Sequence, residues 1–299
     1  MTWKHTLLFS GYVLFFMASA MAMIWWHRRQ RKLRKPFGDE FKLLRGPGES
    51  QFKIYLKQEE SEALWVFGYA AAPVLVAVLG LQVVALVPDG LKLAVLGLTV
   101  LAFIVSFIVA ARLYARRTQQ GFNRYLGYFG ERMVAEHLEP LKGQGWRILH
   151  DLPGVANGTK FNLDHVAIGP QGVFAVETKT RRKGNARPGF DDHKVVFNGR
   201  ELIWPWGEDN HGLEQAERNA VWLAGLIKDE TGQRVHVAPI LTLPGWFVEM
   251  KPSRESRFAK VTNPKGLPRF LTSGPAVLND EQIAAIATKL EARCRDVEY

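Results

Sequence analysis

The stretch Leu163-Asp164-His165-Val166-Ala167-Ile168-Gly169-Pro170-Gln171-Gly172-Val173-Phe174-Ala175-Val176-Glu177-Thr178-Lys179 decides the reading of the fold. Gly169-Pro170-Gln171-Gly172 is a turn, and the runs on either side, Phe161 to Ile168 and Val173 to Thr178, are expected to pair as an antiparallel hairpin. With a two-residue turn, Asp164 falls directly opposite Glu177, with Cβ atoms about 5 Å apart. Two like charges at that spacing repel, so a cation should compensate. Lys179 lies two residues beyond Glu177 and points to the same face. The register matters, because a one-residue slip would turn Asp164 to the other side. Pro170 suits a type I or II turn better than the primed hairpin turns.

Outward from the hairpin, the pattern is that of a mixed α/β domain. Phe122 to Leu141 is helical, and Gly127, Glu131, Val134 and Leu138 share one face, which sets a carboxylate in a small and apolar stripe. Trp146 to Leu152 reads as a strand and Pro153 to Thr159 as a loop. Lys194 to Phe197 and Arg200 to Trp204 form a second hairpin about Asn198-Gly199. Gly212 to Lys228 is a helix, Val235 to Leu243 a buried strand ended by Pro244-Gly245, and Phe258 to Val261 a further short strand. Asn279 caps a last helix to Arg295, with Gln282 three residues on. Helix, strands, helix, strand, helix gives an α/β core with a mixed sheet.

The part before this domain is different. Thr6 to Trp26 is 21 residues without a charge, Ala63 to Pro88 is 26, and Leu93 to Ala111 is 19. About 20 apolar residues span the hydrocarbon core as a helix. Three transmembrane helices are therefore expected: residues 1–26, then a hairpin over 63–111 that turns at Val87–Gly90. Pro73 and Gln82 do not disqualify the second span. The loop 27–62 is basic, and 112–299 forms the domain beyond the spans. A cleaved signal peptide is the lesser alternative for the first span, since its apolar region is long and a basic block follows at once. The 27–62 connection holds ten Lys and Arg, the Val87–Gly90 turn none. The positive-inside rule then puts the N-terminus outside, and the loop and the C-terminal domain in the cytoplasm, as a multi-pass inner-membrane protein.

Charge and cysteine content narrow the chemistry. The full chain carries 39 Lys and Arg against 29 Asp and Glu. Of these, 27 and 22 follow residue 111, so the domain is about +5, compatible with nucleic acid without requiring it. Cys294 is the single cysteine, which excludes an internal disulfide and any cysteine-based zinc site. The histidines show no zinc spacing, and His165 alternates away from Asp164.

Two carboxylates and a lysine at a strand end suit a hard divalent cation, Mg²⁺ or Mn²⁺, held by Asp164 and Glu177 with Glu131 as a third acid. Such an ion polarises a phosphodiester and acidifies a water, and Lys179 can position that water or steady developing charge. The competing reading of the same residues is a Glu177–Lys179 ion pair beside a solvated Asp164. Arg181, Arg182, Lys183 and Arg187 follow the motif directly and can grip phosphates or form a solvated charge run. Trp204 and Trp206 are read as packing residues.

The run Leu163 to Lys179, with Gly130-Glu131 on the preceding helix, resembles the NERD (nuclease-related domain) family of the PD-(D/E)xK superfamily. The resemblance covers about Asn123 to Leu243. It implies a restriction-endonuclease-like mixed sheet flanked by helices. It also implies catalytic roles for Asp164, Glu177 and Lys179, for Glu131 as the helix acid and for Gln215 as the helix glutamine. Asn219 lies one turn from Gln215 on the same face. No helicase, kinase or zinc-finger module accompanies the domain here. The expected function is a membrane-anchored, metal-dependent nuclease acting on DNA ahead of RNA. The alternatives are a silent nuclease-like module that binds nucleic acid or protein, and a membrane scaffold. The orientation is open to test: a reporter fused after Tyr299 should be active only as a cytoplasmic reporter, and activity on the far side would overturn the assigned topology.

Overall fold

The computed structural model describes residues 3–33, 42–251 and 259–297. Arg34 and Lys35 of the basic block and Phe258 of the expected strand lie outside the described residues. The chain divides into two compact units. One comprises Met1–Gly38, Ile54–Asn123 and Tyr299, the other Asp39–Lys53 and Arg124–Glu298.

The first unit contains α1 (Trp3–Leu33), most of α2 (Glu49–Leu86, after the short strand β1, Leu43–Leu44) and most of α3 (Asp89–Lys142). Two helices, α2 and α3, are long and apolar enough to cross a membrane. Three were expected, and α1 does not join them. Its apolar stretch among the described residues is Leu14–His27. At 1.5 Å per residue that covers roughly 21 Å of a core about 30 Å thick. The helical hairpin turns as the sequence predicts, with α2 ending at Leu86 and α3 starting at Asp89. Small residues let α2 and α3 approach closely, as is usual for apolar helices: a Cβ on Gly80 would lie 2.2 Å from Thr99 Cγ2. Arg117 closes the other end of this pair through Glu62 (3.1 Å) and Ser61 (2.6 Å), and lies over the Trp65 ring at 4.9 Å. Leu93 and Phe107 remain 82% and 59% exposed, an arrangement that water penalises.

The second unit is mixed α/β. Its five-stranded sheet has the order β10-β8-β4-β3-β2, from β2 (Arg147–Ala156), β3 (Thr159–Gly169), β4 (Gly172–Thr178), β8 (Val237–Thr242) and β10 (Lys260–Thr262). β2, β3 and β4 are antiparallel neighbours, while β4, β8 and β10 run parallel. A four-stranded sheet, β7-β6-β5-β9, is built from β5 (Lys194–Phe197), β6 (Leu202–Trp204), β7 (Gly207–Asp209) and β9 (Phe247–Met250). The helices are α4 (His211–Thr231), the short α5 (Leu267–Leu271) and α6 (Asp280–Cys294), and β11 (Arg295–Val297) pairs with β1. α6 begins with the expected capping box of Asn279 and Gln282.

Residues 153–159 were expected to be a loop. Instead β2 runs on to Ala156 and turns into β3 at Asn157-Gly158, both with positive φ (50° and 75°), as a two-residue hairpin turn requires. Pro153 is tolerated because β2 is the sheet's edge. The five-stranded sheet is covered on both faces. Leu149, Leu163, Val166 and Ala175 pack with α4 and α6 residues such as Leu223 and Ile286, while Ala167, Phe174 and Val176 pack with Val134 and Leu138 of α3.

The contact that sets α3 against the end of β4 involves Gly130. A Cβ there would lie 2.3 Å from Thr180 Cγ2. Gly130→Ala should therefore destabilise the chain by about 1–3 kcal/mol through overpacking, and Thr180→Ala should relieve most of that cost. Denaturant melts of the two single variants and the double variant measure the coupling; simple additivity would show that the approach is not tight.

Candidate active site

Both the hairpin and its register follow the sequence reading. Gly169 pairs with Gly172 and the ladder proceeds without a slip to His165 opposite Val176. One further step in that register brings Asp164 opposite Glu177. There the ladder gives way to a side-chain contact, in which Thr178 N–H donates to Asp164 Oδ2 at 2.7 Å. Glu177 is 2% exposed and both its oxygens are engaged. Lys179 Nζ donates to Oε1 at 2.7 Å, and Asn219 Nδ2 donates to Oε2 at 2.9 Å. Lys179 Nζ also donates to Gln215 Oε1 at 2.9 Å. Helical spacing on α4 thus delivers Gln215 and Asn219 to one cluster. At the start of that helix, a Cβ on Gly212 would lie 3.2 Å from Lys179 Cγ.

Glu131 projects from α3, 6% exposed, and its Oε2 is buried with no hydrogen-bond partner. Its stripe neighbours Val134 and Leu138 are fully buried, as the periodicity of the helix predicts. Burial, with the charges of Asp151 and Glu177, pushes the Glu131 carboxyl up to about 8. Burial, with Glu177 and Glu131, holds the Asp164 carboxyl well above its ordinary range. Burial also raises Glu177, against the opposing pull of Lys179. These acids sense one another, and each resists ionisation for the same reason.

Asp151 is a component that the sequence reading missed. It is 2% exposed, and its backbone adopts φ 51° in the middle of β2. This left-handed residue interrupts the β2–β3 ladder between the His150–His165 and Leu152–Leu163 pairs, directly across from Asp164. Its carboxylate accepts Ser50 N–H at 3.1 Å, the Ser50 hydroxyl, and Arg45 Nη1 at 3.0 Å. An acid at the end of the strand Trp146 to Leu152, beside His150 and before Leu152, was the available sequence signal. His165 is no ligand candidate: it is fully buried, its Nδ1 is 2.8 Å from His150 Nδ1, and burial lowers both rings, His150 to about 4.

The basic loop is tied back to the protein. Arg181 pairs with Asp209 at 2.6 Å and lies 4.8 Å over Trp204; Arg187 pairs with Glu208 at 2.8 Å. Lys183 lies 6.0 Å from the Trp246 ring centre, and Arg182 is exposed. Trp204 is 1% exposed, within a cluster with Trp206 and Trp246, so packing is its role.

Among the described residues no group of three or more His, Cys, Asp or Glu is placed to hold a metal ion. Lys179 draws Glu177 toward itself and the Thr178 amide takes Asp164. The donor chemistry nonetheless fits a hard divalent cation. The acids are all oxygen donors, are mutually repulsive and desolvated, and include one buried oxygen without a partner.

Residues 126–244 match the family model of NERD, the nuclease-related domain. No curated protein and no solved structure matches the chain.

The raised acids fix a pH dependence. Folded Glu131 keeps its proton to about pH 8, whereas an unfolded glutamate releases it near 4.5, so the folded chain binds more protons across that window. Its stabilising contribution is complete below pH 4.5 and is lost as pH rises through 8. His150 and His165, with lowered values, act in the opposite sense, but only below about 6.5. Between pH 6.5 and 8, in chelator, stability should therefore fall, Glu131 contributing up to about 1.4 kcal/mol per pH unit and Asp164, raised in the same direction, adding to the fall. Glu131→Gln should flatten the profile. Equal slopes for the two proteins would show that Glu131 is not the titrating group.

Proposed function

We propose that the second unit is a restriction-endonuclease-like, divalent-metal-dependent nuclease, held at the membrane by α2 and α3 and facing the cytoplasm, with DNA preferred to RNA. The observation that carries this reading is Lys179 Nζ, shared between Glu177 Oε1 and Gln215 Oε1, with Asp164 and Glu131 as neighbouring acids. A plain surface ion pair would not bury Glu177 to 2% or pin its second oxygen with Asn219. The match of residues 126–244 to a nuclease-related domain supports the same chemistry. Two apolar helices and the basic 27–62 connection support the membrane anchoring and the orientation.

Asp164, Glu177 and Glu131 would hold Mg²⁺ or Mn²⁺. The bound ion supplies polarisation of a phosphodiester oxygen and a lowered pKa for an attacking water. The protein's own groups do the rest. Asn219 and Lys179 fix the Glu177 carboxylate in one orientation. Gln215 accepts from the Lys179 ammonium and so limits its swing. The ammonium has three donors, two of them committed in this arrangement, and it can steady negative charge developing on a phosphate oxygen or orient a water. Arg182 and Lys183 are exposed and next in the chain, and would meet the phosphate backbone together with Arg181 and Arg187. Arg181 and Arg187 would first have to leave Asp209 and Glu208.

The purified full-length chain should cut labelled DNA in Mg²⁺ or Mn²⁺ and not in chelator. Lys179→Ala and Asp164→Asn should each lower the rate by a factor of about 10² or more. Metal should raise the melting temperature of the wild type, and Asp164→Asn should lose most of that shift without melting lower in chelator. Cleavage that persists in both variants, or an absence of metal response in wild type, would sink the proposal.

A further inference from the structure

Residues 42–53, which lead into α2 and form its first turn, lie outside the matched family region, yet they are built into the same unit as the acids. Leu43 and Leu44 pair with β11, and Arg45 N–H donates to Cys294 O at 2.9 Å. The Arg45 guanidinium then bridges two ends of the unit. Nε and Nη2 reach the two Asp296 oxygens, each at 2.6 Å, and Nη1 reaches Asp151 Oδ2, Asp151 O and Asn162 Oδ1 at 3.0, 3.1 and 3.2 Å. Ser50 holds Asp151 with both its N–H and its hydroxyl, and receives Asn162 Nδ2 at 2.9 Å. Asn162 stands two residues before Asp164 on β3.

Gly48 makes the second connection. It lies against α3 one turn before Glu131. It adopts φ 69°, and a Cβ there would lie 2.8 Å from Tyr128 Cδ2 and 3.1 Å from Tyr128 Cα. Tyr128 is three residues before Glu131 on α3, and Phe52 stacks on its ring at 4.6 Å. The segment therefore presses against the backbone of α3 next to the helix acid, at a position where only glycine fits both the dihedral and the space.

We propose that residues 45–50 are positioning residues of the carboxylate site. Gly48 seats the segment against α3 beside the turn that carries Glu131, while Ser50 and Arg45 fix Asp151 on β2 and Asn162 on β3 next to Asp164, so divalent-ion affinity depends on this segment. The inference rests on the metal-dependent reading of the site. Groups that act behind metal ligands commonly alter affinity by about 10- to 100-fold when removed, because they fix ligand direction. Removing the Ser50 hydroxyl leaves Asp151 with a lost donor in a buried setting, and Asp151 relaxes toward the acids beside it.

The test is Mn²⁺ binding to the full chain in detergent, by calorimetry, with thermal melting in chelator alongside. Ser50→Ala should weaken Mn²⁺ binding by about tenfold. Ser50→Thr, which restores the hydroxyl, should recover it. Arg45→Lys serves as a second variant should Ser50→Ala not fold; it loses the forked contact and should also weaken binding. If Ser50→Ala lowers the melting temperature and binds Mn²⁺ as wild type does, the segment is a structural tie and the inference is overturned. If wild type itself takes up no Mn²⁺, the metal reading fails and the inference falls with it, an outcome distinct from the first.

Discussion

Keeping several carboxylates close together away from water is the constraint around which the second unit is arranged. Glu177 is accommodated because an ammonium and an amide occupy its two oxygens. Asp164 is accommodated through a backbone N–H. Glu131 is the least satisfied, with one oxygen buried and unpartnered, and its carboxyl is pushed up to about 8. A desolvated acid with no counter-charge stores free energy that a cation can release. These acids lie within or beside the segment matched to a nuclease-related domain, and on the proposed reading a cation is what they await.

Delivery of these groups depends on close packing more than on any single strong bond. Gly130 lets α3 reach Thr180 at the end of β4, and Gly212 lets α4 settle beside Lys179. Each leaves out a side chain so that a neighbouring acid or amine can reach the same place. The left-handed turn of the backbone at Asp151 interrupts the edge ladder at the level of Asp164, in keeping with strain gathering at functional positions. Arg45, before α2, and Ser50, in its first turn, then close over this kink from outside the family's span. The aromatic cluster of Trp204, Trp206 and Trp246 anchors the start of the basic loop, with Trp246 Nε1 donating to the Arg181 carbonyl at 3.2 Å.

The apolar unit illustrates a different economy. α2 and α3 are held together by small-residue contact at Gly80 and Thr99, and by a polar cluster around Arg117. Their outward faces remain apolar. α1 carries the basic residues that follow its apolar stretch, and that stretch is shorter than theirs.

Much of the hairpin was legible in the sequence because strand register is a local matter. Alternation and a glycine-bounded turn fix which residues oppose, so the placement of Asp164 near Glu177, and of Lys179 on the face of Glu177, followed from spacing alone. Glu131 was legible for a similar reason, since a 3.6-residue period puts it in line with Val134 and Leu138. Helical spacing likewise set Gln215 and Asn219 together, although not what they would touch. The continuation of β2 through Pro153 and Gly154 was not legible, because an edge strand tolerates residues that a local rule reads as breakers. Asp151 looked like one more polar residue in a mixed strand, and only the folded chain brings Arg45 and Ser50 to it across about a hundred residues. Periodicity and turn chemistry act over a few residues and can be read from the sequence. Which distant donor satisfies a buried charge depends on how the whole unit closes, and tertiary structure alone decides that.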